Sequence, residues 1–177
     1  SVRRRAARTV LDTVFDSLTA WLAPILVFTA EEAWQARVQD PENSVHLRVL
    51  PEIPTKWHDE ALAEKWARIR DVRRVVTGAL EIERTEKRIG SSLQAKPLVH
   101  VTAQALAAFD GLEPADIFIT SGAVLTTDAA PDAAFRLEDV NDVVVVPASA
   151  DGGKCERCWK ILPEVKTSVD SLCGRCD

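Results

Sequence analysis

Apolar positions recur at helical steps from the start of the chain. Val10, Val14, Leu18, Trp21 and Leu22 fall three or four residues apart, the spacing that gathers side chains on one face of an α-helix. Pro24 interrupts the run, and ILVFTAEEAWQARV resumes it to about residue 38. Thr29 reads as the second helix's N-cap, with Glu31 and Glu32 in the first turn, where the helix dipole favours carboxylates. Two helices joined at a proline break are therefore expected. The opening SVRRRAARTVLDTVF reads as helix with no cap before it. DPENS then forms a loop, and SVHLRVL is a short extended piece closed by Pro51 and Pro54.

The longest periodic segment runs from about Asp59 to Ile89. Leu62, Trp66, Ile69, Val72, Val76 and Leu80 form one apolar stripe, which predicts an amphipathic helix packed on the first two. Gly78 weakens it by about 1 kcal/mol relative to alanine, and Gly90 reads as the C′ residue that ends it. The pattern then shortens. LVHV, IFIT, AVLTT and VVVVPA read as strands, and AQALAAF as an intervening helix. ASADGG reads as a flexible link to the last segment. The division expected is 1–92 helical, 93–149 a small α+β unit and 150–177 a cysteine module.

Composition narrows this picture. The 177 residues are 46% hydrophobic and 28% charged, with a formal net charge of −5. That balance supports real cores and argues against a generally basic nucleic-acid binder, so any basic surface must be local. No apolar run approaches the length of a membrane span. Residues 103–142 carry eight acidic residues against the single Arg136, so this unit is not expected to face a polyanion. The chain has no methionine, which is expected of a processed, trimmed or excised piece of a longer protein.

All four cysteines lie in the last segment: Cys155, Cys158, Cys173 and Cys176, as CERC and CGRC with 14 residues between the pairs. Each C-x-x-C forms a tight knuckle, and two knuckles supply a tetrahedron of thiolates for a structural zinc ion. Four sulfurs leave no position open for water, so such a centre is not catalytic. Two disulfides of a secreted domain are the alternative, but no apolar leader accompanies them. The segment's apolar residues, Trp159, Ile161, Leu162, Val165, Val169 and Leu172, are too few to fold it unaided. Metal binding worth about 10–16 kcal/mol in small zinc peptides would supply the difference.

The candidate chemistry beyond the sulfurs is cationic and aromatic. Lys154, Arg157, Lys160, Lys166 and Arg175 surround the knuckles, matched by five carboxylates in residues 151–177. Trp159 is either a hydrophobic cover for the metal site or a stacking platform for an unpaired base, a stack being worth about 1–3 kcal/mol. On the long helix, Arg70, Arg74, Arg84 and Arg88 fall within about 80° of one another, with Glu81 in the same row. Such an edge suits a phosphate backbone, although a solvated flank has the same pattern. Arg3, Arg4, Arg5 and Arg8 form a weaker cluster. His46, His58 and His100 have no ligand partners at useful spacing and read as structural. There is no glycine-rich phosphate loop and no nucleophile motif.

Several stretches resemble one family. WLAPILVFTAEEAW resembles a signature of the anticodon-binding helical domain of class I aminoacyl-tRNA synthetases for branched aliphatic amino acids. VRRVVTGALEIERTEKRIGSSLQAKPLV resembles the long helix and following element shared by the isoleucyl and valyl enzymes. KCERCWK followed by CGRC resembles the zinc finger of the bacterial-type isoleucyl-tRNA synthetase family, whereas valyl enzymes end in a coiled-coil arm. The resemblance implies a mainly α helical bundle, a small α+β unit and a four-cysteine zinc finger, with part of the bundle lying before residue 1 and an apolar face exposed. It implies Cys155, Cys158, Cys173 and Cys176 as zinc ligands and the neighbourhood of Arg157, Trp159 and Arg175 as the RNA-facing surface; Lys154 and Lys160 beside them, and Arg70 and Arg74 from the helical spacing, complete the expected RNA-binding set.

The implied reaction of the whole enzyme joins isoleucine to its tRNA with ATP. The catalytic domain that would use ATP and Mg²⁺, and the editing domain, are absent from this stretch. The implied partners are the isoleucine tRNA anticodon stem-loop and those missing domains, in a cytoplasmic, non-membrane setting. Two rivals remain. A DNA-repair glycosylase of the formamidopyrimidine type has a similar finger, but needs an N-terminal proline where this chain has Ser1. A zinc-ribbon module that binds another protein would account for the acidic middle.

Overall fold

Ser1 caps the first helix itself, its hydroxyl accepting from the Arg4 amide at 3.4 Å, so the expectation of an uncapped start does not hold. This computed structural model describes residues 1–167 and 170–177; Val169, counted above among the apolar residues of the cysteine module, lies outside them. The chain divides into two compact units, Ser1–His58 and Asp59–Asp177.

In the first unit, α1 (Val2–Leu22) and α2 (Val27–Val38) follow the periodicity. Their small core is Ala23, Ala30, Trp34 and Val45, with Phe15 and Val38 packed on it. Phe15 stacks on Trp34 with ring centroids 6.3 Å apart. The Trp34 indole N–H donates to the Asn43 carbonyl at 2.8 Å, and the Arg48 guanidinium lies 4.0 Å above its ring. Elsewhere α1 leaves Val10, Leu11, Val14 and Leu18 exposed.

Leu26, not Thr29, occupies the N-cap of α2, and no acidic residue lies in the first turn. Glu31 instead reaches the loop after the helix. Its carboxylate accepts from the Val45 amide at 2.8 Å and from the Ser44 hydroxyl at 3.0 Å. The expected extended piece SVHLRVL is broken by a 3₁₀ turn at Val45–Leu47, which Ser44 caps.

The second unit is built on α3 (Glu60–Thr85), capped by Asp59. Its stripe finds cover within its own unit. Ile69, Val72, Val75, Val76, Ala79 and Leu80 are buried in one cluster with Val99, Val101, Val143 and Val145, while Leu62 and Trp66 are partly exposed. The cover is a four-stranded sheet of order β2-β1-β4-β3, made of β1 (Leu98–Val101), β2 (Val124–Thr126), β3 (Phe135–Leu137) and β4 (Val140–Val146). β1 pairs parallel to β2 and antiparallel to β4.

Gly78 has a positive reason to be glycine. A Cβ there would come within 3.0 Å of the Phe135 ring, so its absence lets β3 approach the helix. The helix ends before Gly90: Glu86 is the C-cap and Lys87 takes the left-handed conformation at φ 61°.

AQALAAF gives α4 (Ala103–Ala108), capped by Thr102. IFIT does not form a strand. Glu113 accepts from the Ala115 amide, Pro114 opens a turn of helix, and α5 (Pro114–Phe118) ends at Ile119 in the left-handed conformation. Helix-start chemistry at 113–114 outweighs the β-branched run, and Phe118 is buried against Phe109.

The link before the cysteine module is also ordered. Ala95 bridges Ser149, the Lys96 amide donates to Ala148 O at 2.7 Å, and the Ala150 amide donates to Gln94 O at 2.8 Å. Backbone pairing, which no composition signals, holds what reads as a flexible tether. No helix of the described residues is long and apolar enough to cross a membrane.

Candidate metal centre and nucleic-acid interface

A two-residue hairpin carries the first knuckle. β5 (Gly153–Lys154) pairs antiparallel with β6 (Ile161–Leu162). Gly152 is required there: its φ is 145°, and a Cβ would meet the Leu162 carbonyl carbon at 2.1 Å. The Cys155 amide donates to Lys160 O and the Trp159 amide to Cys155 O, both at 2.9 Å, closing the turn. The second knuckle closes with the Cys176 amide donating to Cys173 O at 2.8 Å, and the Glu156 amide reaches Ser171 O at 3.0 Å to tie the two together.

These turns bring Cys155, Cys158, Cys173 and Cys176 together, their four sulfurs lying within 4.8 Å of one another. Cys158 Sγ and Cys173 Sγ are 3.7 Å apart. A tetrahedron with zinc–sulfur bonds of about 2.3 Å has sulfur–sulfur edges of about 3.8 Å. The donor set therefore fits a four-coordinate metal, and no disulfide joins the cysteines. Its electrostatics fit as well. The Cys158 amide, with further N–H groups of Cys173 and Arg157, outweighs burial and holds the Cys155 thiol down at about 6, whereas burial and neighbouring sulfurs push Cys176 up to about 12. One thiolate is favoured and the next is opposed, a conflict that a bound cation removes. Val165, Leu162 and Leu172 pack against the sulfurs.

Trp159 is not part of that cover. It is 60% exposed, has φ 65°, and faces the Lys154 ammonium 5.2 Å from its ring centroid. The cations around it are partly engaged. Arg157 donates to Cys176 O at 3.0 Å, bracing the second knuckle. Lys160 donates to Asp116 at 2.6 Å, and Arg175 lies 4.0 Å from the same carboxylate. The hydrogen bond from Lys160 is the main reason that the Asp116 carboxyl sits below its ordinary range.

On α3, Arg74 pairs with Asp139 at 2.8 Å, Arg84 with Glu81 at 2.8 Å, and Arg88 with Glu83 at 2.6 Å. Arg70 is exposed, and among the described residues no ion pair holds it. The basic edge is therefore largely balanced by carboxylates. His46 and His100 lie against backbone carbonyls of Val27 and Asp128. Sequence reasoning missed Asp116 and Ser121, which touch the cysteine module from 40 or more positions away. Only the folded chain brings them there.

Residues 1–100 match the family described as the anticodon-binding domain of tRNA ligases. The chain belongs to that family. Residues 152–177 match the zinc finger found in FPG and IleRS, so a four-cysteine cluster and a zinc-finger match together support a structural zinc ion in this anticodon-binding-domain chain. The finger match by itself also accommodates a glycosylase, but the match over residues 1–100 favours the tRNA-ligase reading. Isoleucine–tRNA ligases are similar along nearly the whole chain. That of Agrobacterium fabrum is 52% identical over 166 residues, covering 93% of this chain and 17% of the relative. That of Ruegeria pomeroyi is 52% identical over 179 residues, covering 100% of this chain and 18% of the relative. That of Caulobacter vibrioides is 51% identical over 168 residues, 94% of this chain and 17% of the relative. The chain thus spans less than a fifth of the length of these relatives.

Proposed function

We propose that this chain is the tRNA-gripping part of an isoleucine–tRNA ligase and that it binds the anticodon stem-loop of isoleucine tRNA. The reaction of the whole enzyme, joining isoleucine to tRNA with ATP and Mg²⁺, belongs to domains outside this stretch, and the cytoplasm is where it runs. Binding divides among three segments, with 1–92 beside the stem, 93–149 as a junction and 150–177 as a zinc finger at the loop. Cys155, Cys158, Cys173 and Cys176 hold the zinc, which supplies folding energy and no chemistry.

The observation that carries the reading is Trp159. A non-glycine residue held left-handed costs about 1–2 kcal/mol, and a large apolar side chain 60% exposed does not repay that cost by burial. A flat ring standing clear beside Lys154 suits a splayed base, since RNA sequence is read mostly on unpaired bases by stacking and edge hydrogen bonds. Arg157, Lys160, Arg175 and, on α3, Arg70 and Arg74 supply phosphate contacts, with Arg70 the most available of them. The test is a titration of the zinc-loaded chain with isoleucine and valine anticodon stem-loops at fixed salt. Tighter binding of the isoleucine version supports the reading. Binding of neither overturns it.

A further inference from the structure

A zinc finger of this size fixes its own interior but not its attitude. Its strands are two residues long, and its entry runs through Gly152 and Gly153. Something outside it must set the direction in which Trp159 points. Backbone pairing of Ala148, Ser149 and Ala150 with Gln94, Ala95 and Lys96 fixes the link as far as residue 150, and beyond it one buried polar side chain reaches the finger. The Ser121 hydroxyl donates to Leu93 O at 2.5 Å and accepts from the Ile161 amide at 2.6 Å, while the Ser121 amide donates to Ala95 O at 3.1 Å. Ser121 is 8% exposed. Leu93 belongs to the turn that follows α3, and Ile161 opens β6 two residues after Trp159.

We propose that Ser121 is a positioning residue which orients the zinc finger for RNA, relaying the place of the α3–β1 turn to the strand beside Trp159. The consequence for RNA rests on the anticodon-binding reading above. A hydroxyl suits the post because it has one proton and two lone pairs, so a single oxygen serves both a carbonyl and an amide. Both bonds are part-buried, so removing the hydroxyl takes a partner from a carbonyl and an amide that are not freely solvated. The second tie, Lys160 to Asp116, has a carboxylate side chain that is 52% exposed, where an ion pair constrains little.

The test uses the whole zinc-loaded chain. Residual dipolar couplings of residues 153–162 are compared with those of β1 and β4, beside zinc content and stem-loop affinity. Ser121→Ala is expected to keep its zinc, to lose the common alignment of finger and sheet, and to bind the stem-loop about tenfold more weakly with an unchanged salt slope. Ser121→Thr, which keeps the hydroxyl, restores both, and Asp116→Asn leaves the alignment intact. Couplings in Ser121→Ala that still fit one alignment overturn the proposal, as does loss of alignment in Asp116→Asn. Should the alanine variant not fold, Ser121→Cys, with similar volume and a weak acceptor, is read by the same criteria. A parent chain that binds no stem-loop refutes the RNA reading alone, because the couplings still judge Ser121.

Discussion

Trp159 and Glu31 show how much one side chain decides here. Trp159→Ala is expected to weaken stem-loop binding by about 1–3 kcal/mol, roughly one lost base stack, with zinc content unchanged. Trp159→Gly should lose the same affinity while holding zinc at least as firmly, because glycine adopts the left-handed conformation freely. Equal affinity of either variant and the parent, measured at one salt concentration, would reduce the ring to ornament. Glu31 makes a pH prediction. Burial raises its pKa, but the Val45 amide, the Ser44 hydroxyl, Gln35 and the His46 charge outweigh it, so the folded value lies below the ordinary 4.5. Its stabilisation of the loop is therefore complete above 4.5 and fades as pH falls through the lowered value. Hydrogen exchange of the Val45 amide should quicken in that acid range, and Glu31→Gln should flatten the response. The carboxylate pair was visible in the sequence, but its partners lie 13 and 14 positions away, beyond any helix-cap rule.

At the scale of elements, strong periodicity and local propensity served unequally. The long α3 and the valine-rich β1 and β4 were legible because burial on one face writes a repeating pattern. IFIT misled because its neighbours Glu113 and Pro114 start a helix more firmly than two isoleucines extend a strand. The face that covers α3 was not legible, since an apolar stripe states that it needs a partner and not which one. Ile69→Ala is expected to cost the second unit about 2–5 kcal/mol, because Ile69 is 1% exposed among sheet residues. A shift of the urea midpoint without a change in slope would measure it, whereas an unmoved midpoint would show that the site collapses around the loss.

At the scale of the whole molecule, a four-cysteine module follows two apolar cores. Chelating the zinc is expected to unfold residues 153–177 and to leave the helical signal of α1, α2 and α3 largely intact, as followed by circular dichroism and by the exchange of the Cys155 and Trp159 amides. Loss of all helix on chelation would show that the finger holds the rest of the chain together. The four cysteines were legible because metal coordination is specified by residue type and spacing. The attitude of the finger was not, because the backbone pairing before it and the oxygen of Ser121 beside it carry no motif. The order of the sheet has a consequence for birth on the ribosome. β1 and α3 must wait for β4, which is made last among the four strands and lies between β1 and β3. Until Val146 has emerged, the buried face of α3 is covered only in part, by α4 and α5, so the nascent chain leaves some of its valines exposed while residues 102–139 are translated. A pause in that stretch should prolong its exposure to chaperones more than an equal pause anywhere after β4.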